Sequence, residues 1–314
     1  MNTTAYAKPI NENKRSWLVK ALRSWRLYVL LAPTFIYLFI FNYIPMYGVQ
    51  IAFRNFTARD GILGSQWVGF DHFVFFFNSP QFEILVTNTV LISVYTLLWS
   101  FPFPIILALM VNEIRRPRIK KTIQTITYAP FFISVVVLVN MINVFLSQPD
   151  GLINQALQFF GLDTVNFLGR SSYFRTIFIT SGIWQSIGWN SIIYIAALSS
   201  VDVEQHEAAM IDGASKLQRI WHINIPCIIP TAVILFILST GHIMSVGFER
   251  IFLMQNALNL DVSEVISTYV YKVGLLRAQF SLTTAIGLFN SVINLILLLI
   301  VNQIAKKTSN ISLF

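Results

Sequence analysis

Six apolar runs, near residues 27–50, 84–112, 122–146, 177–200, 226–246 and 282–304, dominate this 314-residue chain. Each reaches the roughly 18 residues a helix needs to cross a ~30 Å hydrocarbon core. In lipid every backbone N–H and C=O must be satisfied inside the protein, so only helices and closed barrels span it. Barrel strands run ~10 residues, and segments this long exclude them. Composition points the same way. Charged residues make up 11% of the chain and hydrophobic ones 55%, with a mean hydropathy of +0.64, whereas soluble domains carry about 25% charged residues. The fold class is all-α: a polytopic membrane protein of six transmembrane helices.

The basic residues orient the spans. Residues 1–26, the loops at 113–121 and 201–225, and the C-terminal tail hold 15 of the 22 lysines and arginines; the alternate loops hold 7. The positive-inside rule puts both termini and the 201–225 loop in the cytoplasm of a bacterial plasma membrane. The domains read as a cytoplasmic segment over 1–26, one membrane domain over 27–306 and a cytoplasmic tail over 307–314. The charged start is not a cleaved leader, because 27–50 exceeds the ~7–15 apolar residues of a signal peptide and no small-residue cleavage site follows. Within 15–26, RSWLVKALRSWR sets Trp17, Leu18, Ala21, Leu22 and Trp25 on one side and cations on the other. Two readings fit: an amphipathic helix in the membrane interface, or a plain positive flank to the first span. The clustered charge marks no nucleic-acid site. Cys227 is the sole cysteine, so no disulfide framework forms, and no His/Cys cluster has metal-ligand spacing.

Several polar or bent positions interrupt the spans. Pro33 and Pro45 kink the first. Pro102 and Pro104 are expected to break the second in mid-membrane, either as a packing kink or because that backbone lines a water-filled path. The third carries Asn140 and Asn143 on one face, the sixth Asn290 and Asn294, and the latter pair suits interhelical hydrogen bonding. The segment from Pro45 to Phe77 predicts a short helix on the outer surface, with the Phe run at 73–77 packing rather than binding a ligand. Pro149-Asp150-Gly151 reads as a turn.

The loop between spans four and five reads EAAMIDGASKLQRIWHINIP from Glu207 to Pro226. Glu207, Ala208, Ala209, Gly213, Ile223 and Pro226 fall on the EAA pattern of ATP-binding-cassette importer permeases, with Ile225 in place of the usual Leu. PMYG at 45–48, NTV at 88–90, DGLIN at 150–154, GFERIFLMQN at 247–256 and AIGLFNSVIN at 285–294 extend the likeness. From about residue 26 to its end the chain resembles the permeases of oligosaccharide and polysaccharide importers (LplB-like), and more distantly the maltose-type permeases. One departure is His206, where such proteins commonly carry Tyr. The resemblance implies a type I ABC importer permease (MetI-like) fold. It implies as partners a second homologous permease, two ATP-binding-cassette ATPase subunits, an extracytoplasmic sugar-binding protein and the lipid bilayer. ATP and Mg would be bound by the ATPase partner, with no cofactor in this chain. No Walker A pattern occurs here, so this chain is not itself the enzyme.

Residues 204–220 are expected to form a cytoplasmic coupling helix carrying Glu207, Ala208, Ala209, Asp212 and Gly213. Glu207 suits a helix N-terminus, the alanines leave a small surface for another protein, and Gly213 removes bulk and permits a bend. The alternative is an ordinary connector helix. For the substrate path, Gln185 and Trp189 share one face of span four at i, i+4. Likeness to the maltose-type permeases puts sugar-contacting positions on or near Gln185, Ser186 and Trp189. Ser239, His242 and Ser245 share a face of span five at i, i+3 and lie close to the family's other sugar-contacting positions. An indole face and amide or hydroxyl partners suit a sugar, and a span histidine points to an aqueous cavity. Interhelical hydrogen bonding is the competing role for each. No Arg or Lys stands at mid-depth, so an uncharged oligosaccharide is expected. The rival solutes are a sugar phosphate, an anionic sugar or a polyamine. A membrane-embedded enzyme is the remaining alternative, and the mid-span regions offer it no acidic residues.

Overall fold

The computed structural model describes residues 24–309 and 312; the interfacial helix expected within 15–26 lies almost wholly outside them. The described chain is helical apart from two-residue strands β1 (Arg54–Asn55) and β2 (Gln66–Trp67), which pair antiparallel. Helical elements occupy all six apolar runs. α1 runs over Trp25–Phe53 and has no buried residue from Trp25 to Tyr43. After the hairpin, α2 (Asp71–Phe77) packs beside α3 (Pro80–Asn112). The outer segment is thus a hairpin and a short helix, more than the single helix expected. Within α2, Phe76 is buried against Phe82 and Phe289, at ring-centroid distances of 5.1 and 5.9 Å. Phe76 packs as its sequence indicates, while Phe75 and Phe77 are 64% and 45% exposed.

The proline pair does not break the second span. Phe101, between Ser100 and Pro102, keeps helical angles of φ −74° and ψ −43°, and its N–H still reaches the Leu97 carbonyl at 3.1 Å. α3 therefore continues as one 33-residue apolar rod.

The third run, expected to be one span, is two helices. α4 (Pro117–Tyr128), continued by a tight turn to Phe132, meets α5 (Val135–Leu146) at a bend of 97°. Ile133 and Ser134 are extended there, and the Ser134 hydroxyl caps α5 by accepting from Val137 N–H at 3.3 Å. α6 (Leu152–Phe159) follows the turn at Pro149–Gly151.

α7 (Ser171–Leu198) is a 28-residue helix, about 42 Å long at ~1.5 Å per residue. Its Thr, Ser, Gln and Asn keep it out of the four helices that are apolar enough to cross a membrane by composition alone; the bent α4–α5 pair makes a fifth. α7 is central in the bundle. Phe174, Phe178 and Ile179 pack with Ile92, Val139, Ile251 and Val265 in one buried cluster, and Tyr194 and Leu198 pack with Ala108 and Ile228 in another. In lipid such contacts are held by close packing rather than by release of water.

α8 (Val203–Ile211) leads into α9 (Lys216–Thr240), which ends six residues short of the expected limit of span five. α10 (Phe248–Met254) and α11 (Ile266–Val270) form the connection to α12 (Phe280–Ser309). Asn88 ties this connection to α3 and α7. Its side-chain amide donates to the Asp261 and Glu264 carbonyls at 2.8 and 3.1 Å, and its Oδ1 accepts from Arg175 at 3.0 Å.

Candidate functional site

A cavity of about 760 Å³ opens between α3, α7, the end of α9 and α10. Trp189, Ser239, His242 and Ser245 all line it, so residues separated in sequence by up to 56 positions meet on one wall. The α9 helix stops at Thr240, yet the i, i+3 spacing persists. His242 N–H bonds to the Ser239 carbonyl at 3.3 Å and Ser245 N–H to the His242 carbonyl at 2.8 Å. Bonds three residues back give a near-threefold winding that keeps every third side chain on one side. Asn294 of α12 braces this turn, accepting from Met244 N–H at 2.9 Å and donating to Ser245 Oγ at 3.2 Å. That matches the interhelical role read for Asn294.

Gln185 and Ser186 are not on the cavity wall. Gln185 Nε2 donates to the Ile133 carbonyl at 2.8 Å. That carbonyl is freed by the α4–α5 bend, and a buried orphan costs about as much as a lost hydrogen bond. Gln185 thus holds the kink. Ser186 Oγ donates to the Gly182 carbonyl of its own helix at 2.8 Å.

Several polar contributors were missed by sequence reasoning, Asn190 of α7 among them. Ser93, Thr96 and Ser100 line the cavity from α3, over the roughly three turns before Pro104, which also faces it. Their recurrence every three or four residues was a readable helical stripe. Ser93 Oγ and Thr96 Oγ1 are buried and have no hydrogen-bond partner among the described residues. Such orphan hydroxyls are uncommon in folded proteins. A further omission is a charged one. Arg250 of α10 reaches the cavity from outside the spans, so the cavity wall carries a cation although the spans do not. Its guanidinium lies 3.9 Å from the centroid of Phe178 and against Gly182, where a Cβ would sit 2.5 Å from a guanidinium nitrogen.

The loop expected as one helix over 204–220 is a helix, a turn and a restart. Asp202, rather than Glu207, caps α8, accepting from Glu204 N–H at 3.0 Å; Glu207 lies in mid-helix and is exposed. Gly213 ends α8 with φ +76°. Gly213 N–H bonds to the Met210 carbonyl at 3.1 Å and Ala214 N–H to the Ala209 carbonyl at 2.9 Å, the paired bonds of a Schellman stop. Glycine is needed there for its left-handed backbone, not for space, because nothing lies within 4 Å of where its Cβ would be. Ser215 and Gln218 then form a capping box that restarts the chain as α9. No residue of α8 is buried, and Val203 and Ile211 are 67% and 86% exposed. Beside it, His206 and Met210 line a smaller cleft with Glu113, Arg115, Lys216 and Arg219.

Residues 88–310 match the family described as "Binding-protein-dependent transport system inner membrane component". The chain belongs to that family, and is a transporter permease of the membrane. It is 42% identical over 296 residues to the polygalacturonan/rhamnogalacturonan transport system permease protein YteP of Bacillus subtilis, covering 94% of this chain and 92% of that one. Among solved structures it is similar to a chain of a bacterial ABC transporter involved in import of the acidic polysaccharide alginate. The TM-score is 0.87 at 41% identity, covering 94% of this chain and all of that one. A second structure, of bacterial alginate ABC transporter in complex with alginate pentasaccharide-bound periplasmic protein, matches with a TM-score of 0.87 at 40% identity, covering 94% and 98%.

Proposed function

We propose that this chain is one permease subunit of an ATP-dependent oligosaccharide importer and forms half of its translocation path. The observation that carries the reading is the 760 Å³ cavity, lined by Trp189, Ser239, His242 and Ser245 together with Ser93, Thr96 and Ser100. An aromatic face with scattered hydroxyl and imidazole partners suits a sugar's C–H surface and hydroxyl groups. The substrates named for the similar proteins, polygalacturonan, rhamnogalacturonan and alginate, are of the same class.

The remaining parts of the machine are supplied by partners. α1 buries none of its residues from Trp25 to Tyr43, so its apolar surface is available to lipid and to a second, homologous permease. α8, with Glu207, Ala208 and Ala209 on it and Asp212–Gly213 at its end, is the coupling element that seats on one of two ATPase subunits holding ATP and Mg. The exposed Val203 and Ile211 are apolar groups of a kind that a partner covers. The basic loops put this element and both termini in the cytoplasm, and an extracytoplasmic binding protein delivers sugar from the other side.

Reconstitution tests the whole reading. The chain, its partner permease and the ATPase are placed in proteoliposomes, and the binding protein is added outside. ATP-driven accumulation of labelled oligosaccharide is expected. Accumulation of none, from an assembled complex that hydrolyses ATP, would refute oligosaccharide import.

A further inference from the structure

Resting on the oligosaccharide reading of this cavity, we infer that Arg250 reads a carboxylate on the sugar, so that the imported oligosaccharide is built from uronic acids. The cavity that Arg250 enters has no acidic residue on its wall. Among the described residues no carboxylate lies within ion-pairing distance of the guanidinium, the sole such pair being Lys272 with Glu264 at 3.0 Å. An arginine carries five N–H donors and stays protonated. Here its plane is fixed by the Phe178 ring at 3.9 Å and by the space left at Gly182. Those contacts orient the group and consume none of its donors.

A half-buried cation without an anion is costly, and a planar guanidinium answers a carboxylate with two parallel hydrogen bonds. Trp189 and the hydroxyls of Ser93 and Thr96 line the same space, and together they supply a ring platform, hydroxyl partners and one positive charge. One arginine and no lysine on the wall suits a singly charged carboxylate better than a doubly charged phosphate monoester. Recognition of this kind is by orientation and charge together, so lysine would replace arginine only in part.

The test uses the complete transporter with Arg250→Gln and Arg250→Lys variants, both first checked for assembly with the partner subunits. The probes are trigalacturonate, its methyl ester of equal length, and glucose 6-phosphate. ATP-driven uptake into proteoliposomes is measured together with equilibrium binding to the nanodisc-embedded transporter without binding protein, so that delivery does not decide the comparison. Wild type should bind the acid more tightly than the ester. Arg250→Gln should weaken the acid about 10- to 100-fold, the range of a lost charge-assisted bond, and leave the ester within about twofold. Arg250→Lys should fall between the two. Equal losses for acid and ester in both variants would make Arg250 a packing post over Phe178 and overturn the inference. So would an unchanged acid affinity in Arg250→Gln, equal wild-type affinity for acid and ester, or preference for the phosphate. Failure of the wild type with both trisaccharides would instead refute oligosaccharide import itself, before any change at Arg250.

Discussion

The indole of Trp189 lies flat on the ring of Phe131, their centroids 4.4 Å apart and their planes within 2° of parallel. One face of the expected sugar platform is therefore already occupied, and Phe132 meets Trp189 edge-on at 6.0 Å. The bent α4–α5 junction brings these phenylalanines to α7. The platform is pre-set rather than free to rotate, and a rigid aromatic loses little entropy when a sugar covers its other face.

Trp189→Ala should accordingly weaken sugar interaction by about 1–3 kcal/mol, read as a KM for uptake raised on the order of tenfold. Assembly with the partner subunits should persist. Phe131→Ala should raise KM less, by loosening the indole without removing it. Unchanged uptake by both Trp189→Ala and His242→Ala would move the sugar to a face contributed by the partner permease.

Gln185 should behave in the opposite way. Gln185→Leu leaves the Ile133 carbonyl without its partner, a loss of about 1–3 kcal/mol for a buried acceptor. The expected outcome is a lower melting temperature of the detergent-solubilised protein with KM unaltered. A raised KM at unchanged melting temperature would return Gln185 to the substrate path.

Gly213 separates backbone geometry from bulk. Because its φ is +76° and nothing crowds the Cβ direction, Gly213→Val should strain the turn by about 1–2 kcal/mol and displace α8. Gly213→Asn should be tolerated far better, since Asn visits that conformation. In reconstituted vesicles the valine variant should insert normally yet lose coupling of ATP hydrolysis to uptake. If both variants transported like wild type, α8 would not be the coupling element.

The sidedness of the loops can be measured with single cysteines in a Cys227→Ser background. Ser65 and Asn259, in loops expected on the outer side, are only 4% and 2% exposed, so Ala58, Gln158 and Ala257, all exposed, are the better positions. These should label with an impermeant thiol reagent from outside. Cysteines at Arg118, Gln205 and Lys307, also exposed, should label only after the membrane is opened. Reversal at any two sites would invert the topology.

Much of this protein is determined by local sequence. The length of the apolar runs alone dictates helices, because lipid offers the backbone no other partners. The EAA spacing marks the turn after α8, since Gly213 is needed by its own backbone angle and Ser215 and Gln218 cap the next helix within four residues. The near-threefold spacing of Ser239, His242 and Ser245 stays on one side whether the chain is helix or turn. Other features depend on contacts between distant segments. The 97° bend after Phe132 carries no proline or glycine at its centre, and its freed carbonyl is satisfied by Gln185, 52 residues away. Arg250 sits in a short polar stretch that reads as an outer loop, and only the packing of α10 against Phe178 and Gly182 turns its charge into the cavity. Periodicity reports which face of an element is apolar; which partner that face meets, and which loop residue fills the gap between helices, is decided by packing across the whole bundle.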